Sequence, residues 1–338
     1  MIELDVEGPA PLSGIRFADL FAGIGGFRLA MESLGARCVF SSEWDKEAAR
    51  VYRLNHGDAP LGDITQIPES EIPKLDALCA GFPCQAFSVS GKQRGFADSR
   101  GTLFFDVARI AKSARPQFVF MENVKNFARH DGGKTLEVVE GTMREIGYDF
   151  HAKVLNAADY GVPQRRERVY MVCFRQDLKR APFRFPQPRP LTTSLNDLLL
   201  PKRKVSRECF IRRDDYRPTA SAPGVASVQP RHPRARKVGI VGKGGQGERI
   251  YDPSGVAVTL SAYGGGAFAK TGGYMIDGEL RKLDTRECAR LMGFPDSFKL
   301  SSSRHQAYKQ FGNSVVVDVL QQILVNIACS LNREPPKL

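Results

Sequence analysis

Five short segments carry residue types and spacings that could do chemistry. Phe21-Ala22-Gly23-Ile24-Gly25-Gly26 lets backbone approach a ligand without a Cβ and presents N–H groups at a helix start. Glu43-Trp44-Asp45 follows about twenty residues on, where an acid can bond ribose hydroxyls. Trp44 is the only tryptophan and could stack on an adenine. Pro83-Cys84-Gln85 offers a thiol. A free thiol has a pKa of ~8.5, so catalysis by Cys84 requires a positive neighbour or a helix start. Glu122-Asn123-Val124 offers a carboxyl that could donate a proton if burial disfavours its charge. Pro163 to Arg168 adds three guanidiniums, Arg165, Arg166 and Arg168. Taken singly, each has a plain structural reading: a turn, a surface acid, a core aromatic, a buried thiol, a solvated basic turn.

Their positions in the chain change that weighting. Ile15–Leu20, Cys38–Phe40, Leu75–Ala80 and Phe118–Met121 read as strands, and the first four segments follow them in turn. Phe27, Ala30, Met31 and Leu34 mark a helix closed by Gly35. Leu103, Val107, Ile110 and Ala114 mark a second, and Leu136, Val139, Met143 and Ile146 a third, stopped by Gly147. Val169–Phe174 is apolar on both faces, as a buried strand is. Alternating strands and helices predict an α/β domain with a mostly parallel sheet. Ligands in such sheets bind beyond the carboxyl ends of the strands. The glycine turn departs from G-x-G-x-x-G because Arg28 takes the last glycine's place, which disfavours a dinucleotide oxidoreductase.

The 338 residues are 42% hydrophobic and 25% charged, values of an ordinary globular chain. The net charge is +12, unevenly spread. Residues 1–150 hold 17 basic and 21 acidic residues, a balance of −4, whereas residues 201–250 hold 13 and 4, a balance of +9. The later segment predicts a surface for a polyanion such as nucleic acid. Beyond residue 185, prolines and then Gly242–Gly247 and Gly264–Gly266 indicate a smaller domain of short strands and long loops. Val316, Val319, Leu320, Ile323 and Ile327 form a helical stripe expected to return to the first domain. No stretch reaches the ~18 uncharged apolar residues of a membrane span. Seven cysteines without a C-x-x-C pair, and an acidic N-terminus, predict a reducing cytoplasm and no structural zinc. The five histidines never stand at i, i+4, and Gly264–Thr271 only approximates a phosphate loop, with Ala269 before Lys270.

Together, Phe21-Ala22-Gly23-x-Gly25-Gly26, Pro83-Cys84-Gln85, Glu122-Asn123-Val124, Gln164-Arg165-Arg166-Glu167-Arg168 and Gln310-Phe311-Gly312-Asn313-Ser314 occur in the order of the DNA cytosine-5 methyltransferases. The chain resembles members of that family from bacterial restriction–modification systems over nearly its whole length, least at 1–13 and 200–235. The resemblance implies an S-adenosylmethionine-dependent methyltransferase (Rossmann-like) fold with a second, smaller DNA-recognition domain. The expected segments are 1–193 for catalysis and cofactor, 194–285 for target recognition, and 286–338 for the hinge and returning helix.

It also implies a mechanism. Cys84 attacks C6 of a cytosine turned out of duplex DNA, which makes C5 able to take a methyl group from S-adenosyl-L-methionine. Protonated Glu122 compensates charge near N3, Arg168 contacts the base carbonyl oxygen, Arg166 supports it, and Phe82 and Pro83 line the base pocket. The implied cofactor residues are Phe21, Gly23, Gly25, Glu43, Trp44, Asp63, Ile64, Leu103 and Asn313. Gln246 and Ser90 fill the gap left in the duplex, Arg249 reads a guanine, and Thr259 and Tyr263 touch DNA. The implied target is G-C-G-C, methylated at its first cytosine by a monomer with no metal and no obligate protein partner. The competing expectations are a tRNA methyltransferase on the same fold and a DNA-binding protein without catalysis. The long basic recognition segment weighs against the first, and intact Cys84, Glu122 and Arg168 weigh against the second.

Overall fold

Phe17-Ala18-Asp19-Leu20 is buried on both faces, as a central strand must be when helices cover it on each side. The computed structural model describes residues 10–83, 103–219 and 234–332. Chain contacts divide it into two units, residues 2–155, 167–186 and 320–338 in one and residues 156–166 and 187–319 in the other.

The first unit contains β1 (Arg16–Leu20), α1 (Gly26–Ser33), β2 (Arg37–Ser42), α2 (Lys46–His56), β3 (Ala77–Ala80), α3 (Leu103–Ala114), β4 (Phe118–Val124), α4 (Lys134–Glu145), nearly all of β5 (Tyr148–Asn156) and β6 (Glu167–Arg175). The strand order is β2-β1-β3-β4-β6-β5. β1 runs parallel to β2 and β3, and β3 parallel to β4, while β6 is antiparallel to β4. Ala18, Leu20, Leu78 and Val119 join Val107, Ala108, Val139 and Met143 in one buried cluster. This order puts the ends of β1, β3 and β4 side by side, where the sequence expects chemistry.

Three features depart from the sequence reading. Glu122-Asn123-Val124 are the last residues of β4 itself, registered opposite Tyr170, Val169 and Arg168 of β6. Helix α2 was not expected; Asp45 caps it by accepting from the N–H groups of Glu47 and Ala48 at 3.0 and 3.1 Å. Strand β5 was not expected either, because solvent-facing residues interrupt its apolar alternation.

Among its described residues the second unit has five short strands in the order β11-β10-β9-β8-β7: β7 (Arg217–Pro218), β8 (Lys237–Ile240), β9 (Arg249–Tyr251), β10 (Gly273–Ile276) and β11 (Glu279–Lys282). Val241, Ile250 and Phe268 form its small apolar core. α5 (Thr285–Leu291) and α6 (Arg304–Asn313) follow. Arg281 donates bidentately to Glu287 at 2.7 and 2.8 Å, and both are buried. The Glu287 carboxylate also accepts from the N–H groups of Leu200 and Asp284, so the buried charge is fully hydrogen-bonded. α7 (Val317–Ser330) begins in this unit and continues in the first, where Gln321 donates to Ser33 Oγ at 2.7 Å. Among the described residues, only Arg304–Ser330 is long and apolar enough to cross a membrane, and two thirds of its most apolar window is buried, as in a core helix.

Candidate active site

The β1 end turns through three left-handed residues, Phe21 (φ 56), Gly23 (φ 57) and Gly25 (φ 91), before α1 begins. Phe21 is not a glycine, and such strain in a bulky residue marks a site that the surrounding structure holds in place. A Cβ on Gly23 would meet nothing within 4 Å, so the turn opens onto free space on that side. Glu43, at the end of β2, holds the turn. Its Oε2 accepts from Gly23 N–H at 2.8 Å and its Oε1 from Asp45 N–H at 2.7 Å. Burial raises the Glu43 pKa, and these two donors oppose that shift. A carboxylate has acceptor sites for more than two donors, so capacity remains for hydroxyls.

Trp44 is 72% exposed, so the core-aromatic reading is corrected: the indole stands in solvent beside the turn. Asp63 accepts from Thr65 N–H at 3.0 Å and is otherwise exposed, next to buried Ile64. Arg109 of α3 donates to the carbonyls of Ile64 and Ile67, which fixes this segment against the helix that Leu103 opens. Phe21, Gly23, Gly25, Glu43, Trp44, Asp63, Ile64 and Leu103 all belong to the first unit; Asn313, exposed at the end of α6, belongs to the second. The open glycine turn, acids with spare acceptor capacity and an exposed indole fit an adenine nucleoside carrying a cationic side arm.

At the neighbouring strand ends, Glu122 Oε1 lies 3.1 Å from Arg168 Nε, with both side chains largely buried. Asn123 Nδ2 donates to Phe82 O at 3.0 Å, and Phe82 packs edge-on against Phe127 with ring centroids 5.4 Å apart. The approach to Pro83 is thus tied through its backbone to β4 and through its side chain to the segment that follows β4. Cys84 and Ser90 lie outside the described residues. The six other cysteines are poor nucleophiles, because burial raises every one of their thiol pKa values, Cys38 to about 12 and Cys209 to about 11.

Arg166 belongs to the second unit. It is 2% exposed, and its guanidinium donates to the carbonyls of Leu260, Gly312 and Ser314 at 2.9, 3.0 and 2.5 Å, all in the second unit. These bonds fasten loop main chain. A guanidinium at the distance of Arg168 favours the charged form of the Glu122 carboxylate.

In the second unit, Gln246 is exposed on a loop, and Arg249 at the start of β9; Glu248 organises the loop by accepting from the N–H groups of Lys243 and Gly245 at 3.1 and 2.9 Å. Gly247 presses on the second glycine loop. A Cβ there would fall 2.0 Å from Gly265 O, and Gly247 O accepts from Phe268 N–H at 2.9 Å. Tyr263 is 74% exposed on that second loop. Thr259 is exposed too, but its hydroxyl donates to Arg165 O. Residues 267–271 form turns leading into β10, without the helix a phosphate loop requires.

The sequence reading missed Asp19. It is fully buried in β1, and neither carboxyl oxygen has a hydrogen-bond partner. Burial pushes its pKa up to about 8, and the Arg28 guanidinium offsets only part of this. The signal was a lone acid inside an apolar strand. An unfolded Asp titrates near ~3.9, so between there and about pH 8 only the folded state holds this proton. Stability therefore falls as pH rises through that window, by up to about 1.4 kcal/mol per pH unit from this group. Urea unfolding of the wild type and Asp19→Asn across the window should give a flatter pH dependence for the variant. Equal slopes would remove Asp19 as the source.

Over residues 15–329 the sequence matches the family described as C-5 cytosine-specific DNA methylase. It is 61% identical to the type II methyltransferase M.HhaI of Haemophilus parahaemolyticus, across 96% of this chain and 97% of that protein. It is 41% identical to the type II methyltransferase M.HpaII of Haemophilus parainfluenzae, across 90% and 87%. Among solved structures, Spodoptera frugiperda DNMT2 superposes with a TM-score of 0.71 at 20% identity, covering 93% of this chain and 99% of that one. A DNA modification methyltransferase, described as putative and encoded in an Escherichia coli prophage, gives 0.67 at 20% identity, covering 95% and 100%. At these identities the superpositions speak for the fold.

Proposed function

The chain belongs to the C-5 cytosine-specific DNA methylases, S-adenosylmethionine-dependent DNA (cytosine-5-)-methyltransferases, and from that premise we propose that it methylates the first cytosine of G-C-G-C in duplex DNA, protecting it from a cognate endonuclease. The observation that carries the site assignment is the Glu122–Arg168 pair, 3.1 Å apart and largely buried, beside the strand that leads into Pro83-Cys84.

The target base leaves the helix, at a cost of a few kcal/mol, and Phe82 and Pro83 line its pocket. Cys84 Sγ bonds to C6, and the ring electrons move onto C5 and N3. Arg168 turns from Glu122 to the base carbonyl oxygen, and Glu122, freed of its cation, holds the proton that N3 requires. Glu43, Trp44 and Asp63 bind the adenosine end of S-adenosyl-L-methionine with Phe21, Gly23, Gly25, Ile64, Leu103 and Asn313. That cofactor, when bound, supplies an electrophilic methyl group. Water takes the C5 proton, the C5–C6 double bond re-forms, and Cys84 departs as its thiolate. Gln246 and Ser90 occupy the space vacated by the base, Arg249 contacts guanine in the major groove, and Thr259 and Tyr263 meet the DNA with their exposed faces. A monomer suffices, since each strand of a palindrome is modified separately.

The test is transfer of labelled methyl to duplexes with and without G-C-G-C and to tRNA, followed by mapping of the modified cytosine. Label is expected only in the G-C-G-C duplex, at its first cytosine. Label at another tetranucleotide would overturn the target assignment, and label in tRNA alone would overturn the substrate.

A further inference from the structure

Lys270 ends the turn after the Gly264–Gly266 loop with its backbone in the left-handed region, φ 76, where a lysine is uncommon. Its carbonyl accepts from Ser261 N–H at 2.9 Å, which fastens it to the base of the loop bearing Tyr263. Its ammonium lies 3.3 Å from both ring nitrogens of His305 on α6. Lys282 of β11 lays its ammonium over the Tyr308 ring, 5.1 Å from the centroid. Besides burial, the fields of Lys282 and of Lys309, one turn beyond His305, disfavour the charge on Lys270. Cationic side chains from three elements therefore share one neighbourhood.

The nearby acids already have cations. Arg304 pairs with Asp284 and Glu208, and Lys202 pairs with Glu279. Among the described residues no carboxylate pairs with Lys270 or Lys282. Lys270 and Lys282, like charges close together, disfavour one another, and a bound anion relieves that repulsion.

We propose that Lys270, Lys282 and His305 clamp a backbone phosphate of duplex DNA, beside the loops that read the bases. This rests on the reading that the chain binds duplex DNA. A phosphate contact fixes register without carrying sequence information, so its loss weakens all duplexes alike.

The experiment is equilibrium binding of fluorescein-labelled duplexes, with and without G-C-G-C, by the full chain and by Lys270→Met and Lys282→Met, singly and together, over a range of KCl concentrations. Methionine keeps an unbranched stem and removes the charge. The double variant is expected to reduce the magnitude of the slope of log affinity against log salt by about 0.9 and to weaken binding roughly five- to tenfold near 0.1 M salt, and each single variant by part of that, equally on both duplexes. The Trp44 fluorescence response to S-adenosyl-L-methionine stays unchanged. Arginine at either position retains the slope. An unchanged slope in the double variant, while the wild type binds and methylates duplex, overturns the clamp and leaves the enzymatic reading intact. Failure of the wild type itself to bind or methylate duplex overturns that reading instead. If Lys282→Met does not fold, because its stem covers Tyr308, Lys270→Met alone decides.

Discussion

Cys84→Ser is expected to lose methyl transfer by about four orders of magnitude or more while keeping duplex binding, because removing a nucleophile that acts as part of a unit abolishes most of the chemical advantage. Cysteine fits the task through ionisation and polarisability. A thiolate is accessible at neutral pH when a positive group lies close, whereas a serine alkoxide is not. The aromatic ring must accept a bond at C6 before C5 has any reactivity, so no step preceding this addition can be rate-determining in the variant. The decisive measurement pairs rapid-quench kinetics with a duplex carrying 5-fluorocytosine at the target. The wild type should become covalently attached at position 84, and the serine variant should not. Full methylation by the serine variant, or a wild type that never traps the fluorinated base, would remove this residue from the mechanism.

Glu122→Gln is expected to reduce turnover roughly 10²- to 10⁴-fold, the range for loss of a positioned proton donor. The amide is nearly isosteric and can still accept a hydrogen bond from Arg168, so the strand ends should remain in register. It cannot pass a proton to N3. Affinity for S-adenosyl-L-methionine, read from Trp44 fluorescence, should be unaltered, since Glu43 and not Glu122 holds the glycine turn. A rate equal to wild type would end the role of Glu122 as donor. A large fall in cofactor affinity would show that its contribution is to architecture instead.

How much of this could be read from the residues differs by segment. The turn at Phe21–Gly25 and helix α1 were visible because glycines and a 3.6-residue apolar repeat are local signals. Helix α2 escaped because only Ala48, Val51 and Tyr52 of its eleven residues are buried, too few to show a period; Asp45 as a capping residue was its available sign. The polar end of β4 looked like a loop because Glu122 and Asn123 gain their burial from the antiparallel β6, a partner more than forty residues distant. Arg166 and Arg168 could not be told apart by type. One precedes β6 and meets carbonyls of the second unit, the other lies within the strand and meets Glu122. Asp19 was passed over because its apolar neighbours dominated the pattern. In the second unit only the class of structure was readable, since strands of two to four residues have no periodicity to detect.

The abutment of Gly247 on Gly265 bears on how this enzyme could acquire a new target. A side chain on Gly247 collides with the facing main chain, so neither segment can drift alone. A substitution at Gly247 or Gly266 alone would have to displace the facing main chain before any altered preference emerged. Retargeting is instead expected to succeed by transplanting both segments together as a cassette, which makes the pair, and not the single contact residue, the unit on which selection for new sites acts.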